Sequence, residues 1–123
     1  TLLTDMLGKD LDDMRSGDLR KAIRRGDKFV QGVVHEASEF LGIAVANLAN
    51  ILGPEVIILG GGVVEALSEE MLPVIQRVAR EHAMPGALKG VSILASRLAD
   101  YAGVTGGAVL AKSHHARQAE RRQ

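Results

Sequence analysis

One passage, Val56-Ile57-Ile58-Leu59 followed at once by Gly60-Gly61-Gly62, constrains this chain more than any other. Four consecutive apolar residues without alternation, three of them β-branched, predict a strand buried on both faces of a parallel sheet. A parallel sheet needs a crossover and a second strand. Val91 to Ser96 supplies the strand, and a helix opened by Ser68, with Glu69 and Glu70 in its first turn, supplies the crossover as far as about Ala83. Pro73 lies deep enough in that helix to kink it or divide it in two.

Upstream, Val30, Val33, Val34, Ala37, Phe40, Leu41, Ala44, Leu48 and Ile51 recur at helical spacing, with Asp27 as the N-cap and Gly53-Pro54 as the stop. Beyond Gly42 the pattern turns apolar nearly all round, so this half is expected to be a buried spine covered on more than one side. A shorter helix begins near Ser16 and Asp18 and stops at Gly26. A last helix follows Gly103-Val104-Thr105-Gly106-Gly107, and the polar residues from Ser113 are expected to fray beyond it. The reading is α/β in three parts: a peripheral helical lead-in over 1–26, a helix-strand-helix-strand-helix core over 27–112, and a polar tail over 113–123. Two strands are too few for a self-sufficient parallel sheet, so further strands of a larger protein or of another chain are expected at its edge.

Charge narrows the partners. Fifteen basic residues cancel fifteen acidic ones, which disfavours nucleic acid as the main ligand. No cysteine is present, so disulfides, thiol nucleophiles and thiolate zinc sites are excluded and the cytoplasm is the default compartment. The apolar run Ile43 to Leu52 is interrupted by Asn47 and Asn50 and is too short to span a bilayer, so no membrane is expected. From Phe29 through Gln76 there is no Lys or Arg but six Glu, so an anion held by that stretch is expected to be held by backbone.

Gly60 to Gly62 is the place where that could happen: without a Cβ a ligand can approach the main chain, and the N–H groups of the turn can face an anion. A plain tight turn that lets helix and strand pack is an equally good account of the three glycines. Two familiar phosphate loops are ruled out. A dinucleotide fingerprint needs glycine at Glu65 and an acid near Ser96, and a Walker A loop needs a lysine, the first of which after the strand is Lys89.

Other candidates have bland readings. The Gly103 to Gly107 cluster starts a helix at the same end of the sheet and could border one cleft with Gly60 to Gly62, but packing of small residues against the long helix explains it better. Asp100 reads as a cap for the last helix. His35, Ser38 and Glu39 share a helix face without triad geometry, and His114 with His115 point apart. Asn47 and Asn50 read as buried amides anchoring the loop beyond their helix.

The segments Phe40-Leu41-Gly42-Ile43-Ala44, Asn47-Leu48-Ala49-Asn50, Pro54-Glu55-Val56-Ile57-Ile58-Leu59-Gly60-Gly61-Gly62-Val63 and Ala102-Gly103-Val104-Thr105-Gly106-Gly107-Ala108 together resemble the C-terminal portion of the ROK family, the repressor, open-reading-frame and kinase group. The resemblance covers about Asp27 to Lys112. It implies the C-terminal part of an actin-like, hexokinase-type ATPase lobe, ribonuclease H-like and incomplete, taken from a glucokinase-like sugar kinase. It assigns Gly60, Gly61, Gly62 and Val63 to binding ATP, with Mg²⁺, in the intact protein. No residue of this chain is assigned a catalytic or metal-binding role. Two positions depart from the family pattern: Val64 stands where a small polar residue is common, and Gly107 where alanine is common. The family's Asp-x-Gly-x-Thr phosphate loop, its sugar-binding Asn-Asp segment with the catalytic aspartate, its cysteine-rich zinc motif and its helix-turn-helix have no counterpart in these residues. The resemblance therefore implies a nucleotide and, through the missing half, a sugar as partners, and a homo-oligomer as the usual assembly. The alternatives to the kinase are a sugar-sensing ROK repressor as parent and, after it, a non-catalytic oligomerisation module. Gly61→Val is expected to weaken ATP binding in the intact protein without unfolding it.

Overall fold

A computed structural model describes residues 2–8, 14–98 and 101–120. The elements are α1 (Leu2–Leu7), α2 (Ser16–Arg24), α3 (Lys28–Leu52), β1 (Val56–Leu59), α4 (Gly62–Ala66), α5 (Ser68–His82), β2 (Ser92–Ala95) and α6 (Ala102–Glu120). β1 and β2 are parallel and in register from Val56 opposite Ser92 to Leu59 opposite Ala95. The α/β class and the parallel pair thus match the sequence reading.

α3 begins and ends as its sequence dictates. The Asp27 carboxylate accepts hydrogen bonds from the N–H groups of Phe29 (3.1 Å) and Val30 (3.2 Å), two of the donors that a helix start leaves without intrahelical partners. Its other oxygen accepts from the Leu2 N–H at 2.7 Å, which ties the lead-in to the start of α3. At the far end Gly53 adopts φ 54°, the left-handed conformation in which glycine closes helices, and donates to the Ala49 carbonyl. In α2 the Asp18 carboxyl is held below its ordinary range, first by the hydrogen bond from the Arg15 backbone N–H and then by the Lys21 ammonium.

The core lies between α3 and α5. Val30, Val34, Val45 and Ala49 of α3 meet Met71, Ile75 and Ala79 of α5, with Ile57 and Ile93 of the sheet beneath them. The two helices are in close contact at Gly42, where a Cβ would lie 2.6 Å from the Val78 Cβ and 3.0 Å from the Ile75 carbonyl oxygen. Gln76 reaches from α5 to donate to the Ile93 carbonyl at 2.9 Å, joining the helix to β2.

Several expectations are corrected. The strands are covered on one face only: Ile57 and Ile93 are buried, while Val56, Ile58 and Leu94 are 47%, 65% and 49% exposed. The reason is that α3 and α5 lie on the same side of the sheet. The second half of α3 is likewise covered on one side, with Gly42, Val45, Ala46 and Ala49 buried but Leu48, Ile51 and Leu52 exposed. Pro73 does not divide its helix, since α5 runs unbroken through it. The break falls earlier, at Leu67, and creates the single-turn helix α4 that the sequence did not announce. The last helix extends to Glu120, past the expected start of the tail at Ser113. Nor does it pack on α3: residues 101–115 are all exposed, and a Cβ added at Gly103, Gly106 or Gly107 would meet nothing within 4 Å. Among the described residues the expected helix-strand-helix-strand-helix core therefore lacks its last member, and the favoured packing of the Gly103 to Gly107 segment on the long helix is not seen. Asp100, read as a cap, lies outside the described residues.

Candidate functional site: the glycine turn

The three glycines leave the carboxyl end of β1 in three different states. Gly61 has φ 106° and ψ 149°, a conformation open in practice only to glycine, and its carbonyl accepts the Glu65 N–H at 3.0 Å to start α4. Gly60 and Gly62 do not have positive φ. A Cβ at Gly60 would touch the Ser96 Cβ at 3.6 Å, and one at Gly62 the Ser16 Oγ at 3.7 Å, both ordinary contacts. The tight turn therefore accounts for Gly61 alone. Among the described residues nothing requires glycine at the other two positions, where the absence of side chains leaves the main chain bare on the surface.

Val63 differs from its neighbours. Its side chain lines an apolar groove of about 360 Å³, together with Met14, Leu19, Phe29, Val33 and Met71. Val64, one of the two departures from the family pattern, is buried in the core, so at that position the change is one of packing. On the other side of the turn a groove of about 510 Å³ runs past the end of β2, bounded by Ile58, Leu72, Leu94, Ser96, Arg97 and Leu98.

The fold also brings to the turn residues that the sequence reading did not connect with it. Ser16, at the start of α2, faces Gly62, and Arg15 precedes it. Ser96, at the end of β2, faces Gly60, and Arg97 follows it. No local signal marks these residues, because contacts across 36 and 46 positions of chain are set by the packing of α2, α4 and the strand pair.

The remaining sequence candidates have structural roles. Ser38 is buried and its hydroxyl donates to the Val34 carbonyl at 2.6 Å, which leaves it no part in a nucleophilic triad. His35 is exposed and lies 3.5 Å from the half-buried Glu39, which also meets Arg77 of α5 at 3.7 Å. Asn47 is exposed rather than buried. Asn50 is half-buried and accepts the Met84 N–H at 2.9 Å, so it anchors the loop after α5 instead of the loop after its own helix. His114 and His115 are exposed, and among the described residues no group of three His, Asp or Glu could hold a metal ion. No helix among the described residues is long and apolar enough to cross a membrane.

The structure is an α/β arrangement with a bare turn at the carboxyl end of a parallel strand, the end at which open α/β sheets in general hold their ligands. Comparison with known proteins gives the family: the ROK family model matches residues 2–114. The chain belongs to the ROK family. It is 38% identical over 95 residues to a glucokinase of Halalkalibacterium halodurans, covering 77% of this chain and 28% of that protein. A glucokinase of Thermotoga maritima is 32% identical over 91 residues, 74% of this chain and 28% of its own length. A xylose repressor of Caldicellulosiruptor bescii is 28% identical over 98 residues, 80% of this chain and 24% of its own. Among solved structures, a ROK family transcriptional regulator described as a homologue of the E. coli MLC protein is similar with a TM-score of 0.59 at 24% identity, over 76% of this chain and 25% of that one. The chain thus spans about a quarter of the length of these relatives.

Proposed function

We propose that this chain is the nucleotide-side, C-terminal portion of an ATP-dependent sugar kinase of the glucokinase type, transferring a phosphoryl group to a hexose such as glucose. The observation that carries this reading is the pair Gly60 and Gly62: glycine without a conformational or packing need, on a turn between two grooves, in a chain 38% identical to a glucokinase. In this reading residues 27–112 carry the nucleotide side of an actin-like lobe, 1–26 are its peripheral lead-in and 113–123 its tail, all in the cytoplasm. The bare main chain of Gly60 to Val63 lies against the adenosine and inner phosphates, and the apolar groove beside Val63 suits the base.

The chain's contribution is position. Phosphoryl transfer depends on holding the phosphate in line with the attacking hydroxyl and on neutralising its charge. Mg²⁺ would neutralise phosphate charge when bound; the described residues offer it no carboxylate cluster, so its protein ligands would come from elsewhere in the enzyme. A general base contributes about 10²–10⁴ in rate, and the aspartate that would remove the sugar proton lies outside these residues. This chain alone is therefore inactive, and the open face of the strand pair is completed by the rest of the lobe, with a homo-oligomer as the assembly.

The 28% identity to a xylose repressor favours a second reading, a sugar-sensing repressor built on the same lobe. A coupled assay of the full-length protein separates the two. The kinase reading predicts ADP release from ATP that depends on added hexose. Sugar binding without turnover, accompanied by sugar-sensitive binding of DNA, would establish the repressor.

A further inference from the structure

The stretch that carries the glycine turn has no Lys or Arg between Lys28 and Arg77, yet the fold sets against the turn two serines, Ser16 and Ser96, that each adjoin an arginine in the sequence. Arg97 follows Ser96, whose Cβ is in van der Waals range of the Gly60 position. Arg15 precedes Ser16, whose Oγ is equally close to the Gly62 position. Consecutive Cα atoms are only about 3.8 Å apart, so an extended arginine side chain one residue from such a contact is long enough to reach a group lying on the turn. Both arginines are exposed; Arg15 lies near enough to the Asp18 carboxylate to help hold that group ionised, and Arg97 has no carboxylate within 4 Å among the described residues, whereas Arg77 is engaged by Glu39 and Glu81. Arg97 also bounds the groove past the end of β2, whose other walls are chiefly aliphatic, so its guanidinium is the charged group of that groove.

We propose that Arg15 and Arg97 are the anion-binding side chains of the glycine turn, closing on the phosphates of the bound nucleotide from opposite sides. This rests on the nucleotide reading above and extends it: the backbone of Gly60 to Gly62 permits close approach, while two guanidinium groups from remote segments supply the charge. Planar guanidinium groups suit the task because they give paired, charge-assisted hydrogen bonds to phosphate oxygens. The corollary is that this site selects nucleoside phosphates over the bare nucleoside.

The test is calorimetric titration of the full-length protein and its Arg15→Gln, Arg97→Gln and doubly substituted variants with ATP, ADP and adenosine. Both side chains are exposed, so folding is unaffected; circular dichroism checks this. Each single change is expected to weaken ATP and ADP roughly tenfold or more, the double change about a hundredfold, and adenosine less than about twofold. Raised salt should narrow the difference between wild type and variants. Unaltered ATP affinity in all three variants, alongside loss of ATP binding in Gly60→Val, would overturn the role of the arginines while leaving the nucleotide reading intact. Equal losses of ATP and adenosine would overturn the phosphate contact, and a wild-type protein that binds neither would remove both proposals.

Discussion

Replacing Gly42 by alanine is expected to lower stability by about 1–3 kcal/mol, a fall in Tm of roughly 4–12 °C for a chain of this size. The added methyl would stand 2.6 Å from the Val78 Cβ, 2.9 Å from its Cγ1 and 3.0 Å from the Ile75 carbonyl oxygen. The first of these is fixed to the backbone and the last is part of it, so no rotamer change relieves the overlap and α3 must move off α5. That movement loosens the contacts of Val45 and Ala49 with Ile75 and Ala79 that hold the core together. Alanine's better helix propensity returns about 1 kcal/mol, too little to offset the clash. Gly32, exposed on the same helix with nothing within 4 Å of its would-be Cβ, is the control: there the propensity acts alone, and Gly32→Ala should raise stability by up to about 1 kcal/mol. Thermal or denaturant unfolding of both variants reads the result. Equal stabilisation by the two changes would mean that α3 and α5 do not meet at Gly42.

Valine at Gly60 is expected to reduce ATP affinity of the full-length protein by roughly 10- to 100-fold while leaving its stability nearly unchanged, as measured by calorimetry and thermal unfolding. The loss is that of one or more hydrogen bonds to a charged ligand, each about 1.5–3 kcal/mol, when a branched side chain covers the bare main chain. Stability is spared because Gly60 does not have positive φ and its Cβ would make only a 3.6 Å contact with Ser96. Gly61 is the poorer probe, contrary to the expectation from sequence. At φ 106° a valine there would store about 1–3 kcal/mol of strain, so folding and binding would fall together.

What could be read from the sequence was what neighbouring residues decide. Asp27 and Gly53-Pro54 announce the ends of α3 because capping and the missing proline N–H act within one turn, and the structure begins and ends the helix there. The two strands were legible for the same reason: short apolar runs bounded by glycine or a polar turn. Decisions taken at a distance were not legible. α4 has one turn and no cap of its own, so the packing of Val64 and Leu67 into the core fixes it rather than its propensity. Hydrophobicity said that β1 and the second half of α3 should be covered, but it could not say by what, and in this chain one side of each stays open. The partner of Asn50 is Met84, 34 residues away, and no spacing rule links the two. In the site, Gly60 to Gly62 were visible as a string, but only the backbone separates the glycine that the turn requires from the two it does not. The cations escaped notice because charge was read along the chain, where none lies near the turn, whereas the fold brings to it Ser16 and Ser96, the neighbours of Arg15 and Arg97.

Backbone amide hydrogen exchange of the full-length protein, with and without ATP, reads the proposed contact of nucleotide with the main chain of residues 60–63 at its own atoms. Slower exchange in peptides spanning Leu59 to Val64 on addition of ATP is the predicted result. Unchanged exchange there, with ATP-dependent protection confined to other parts of the protein, would contradict it.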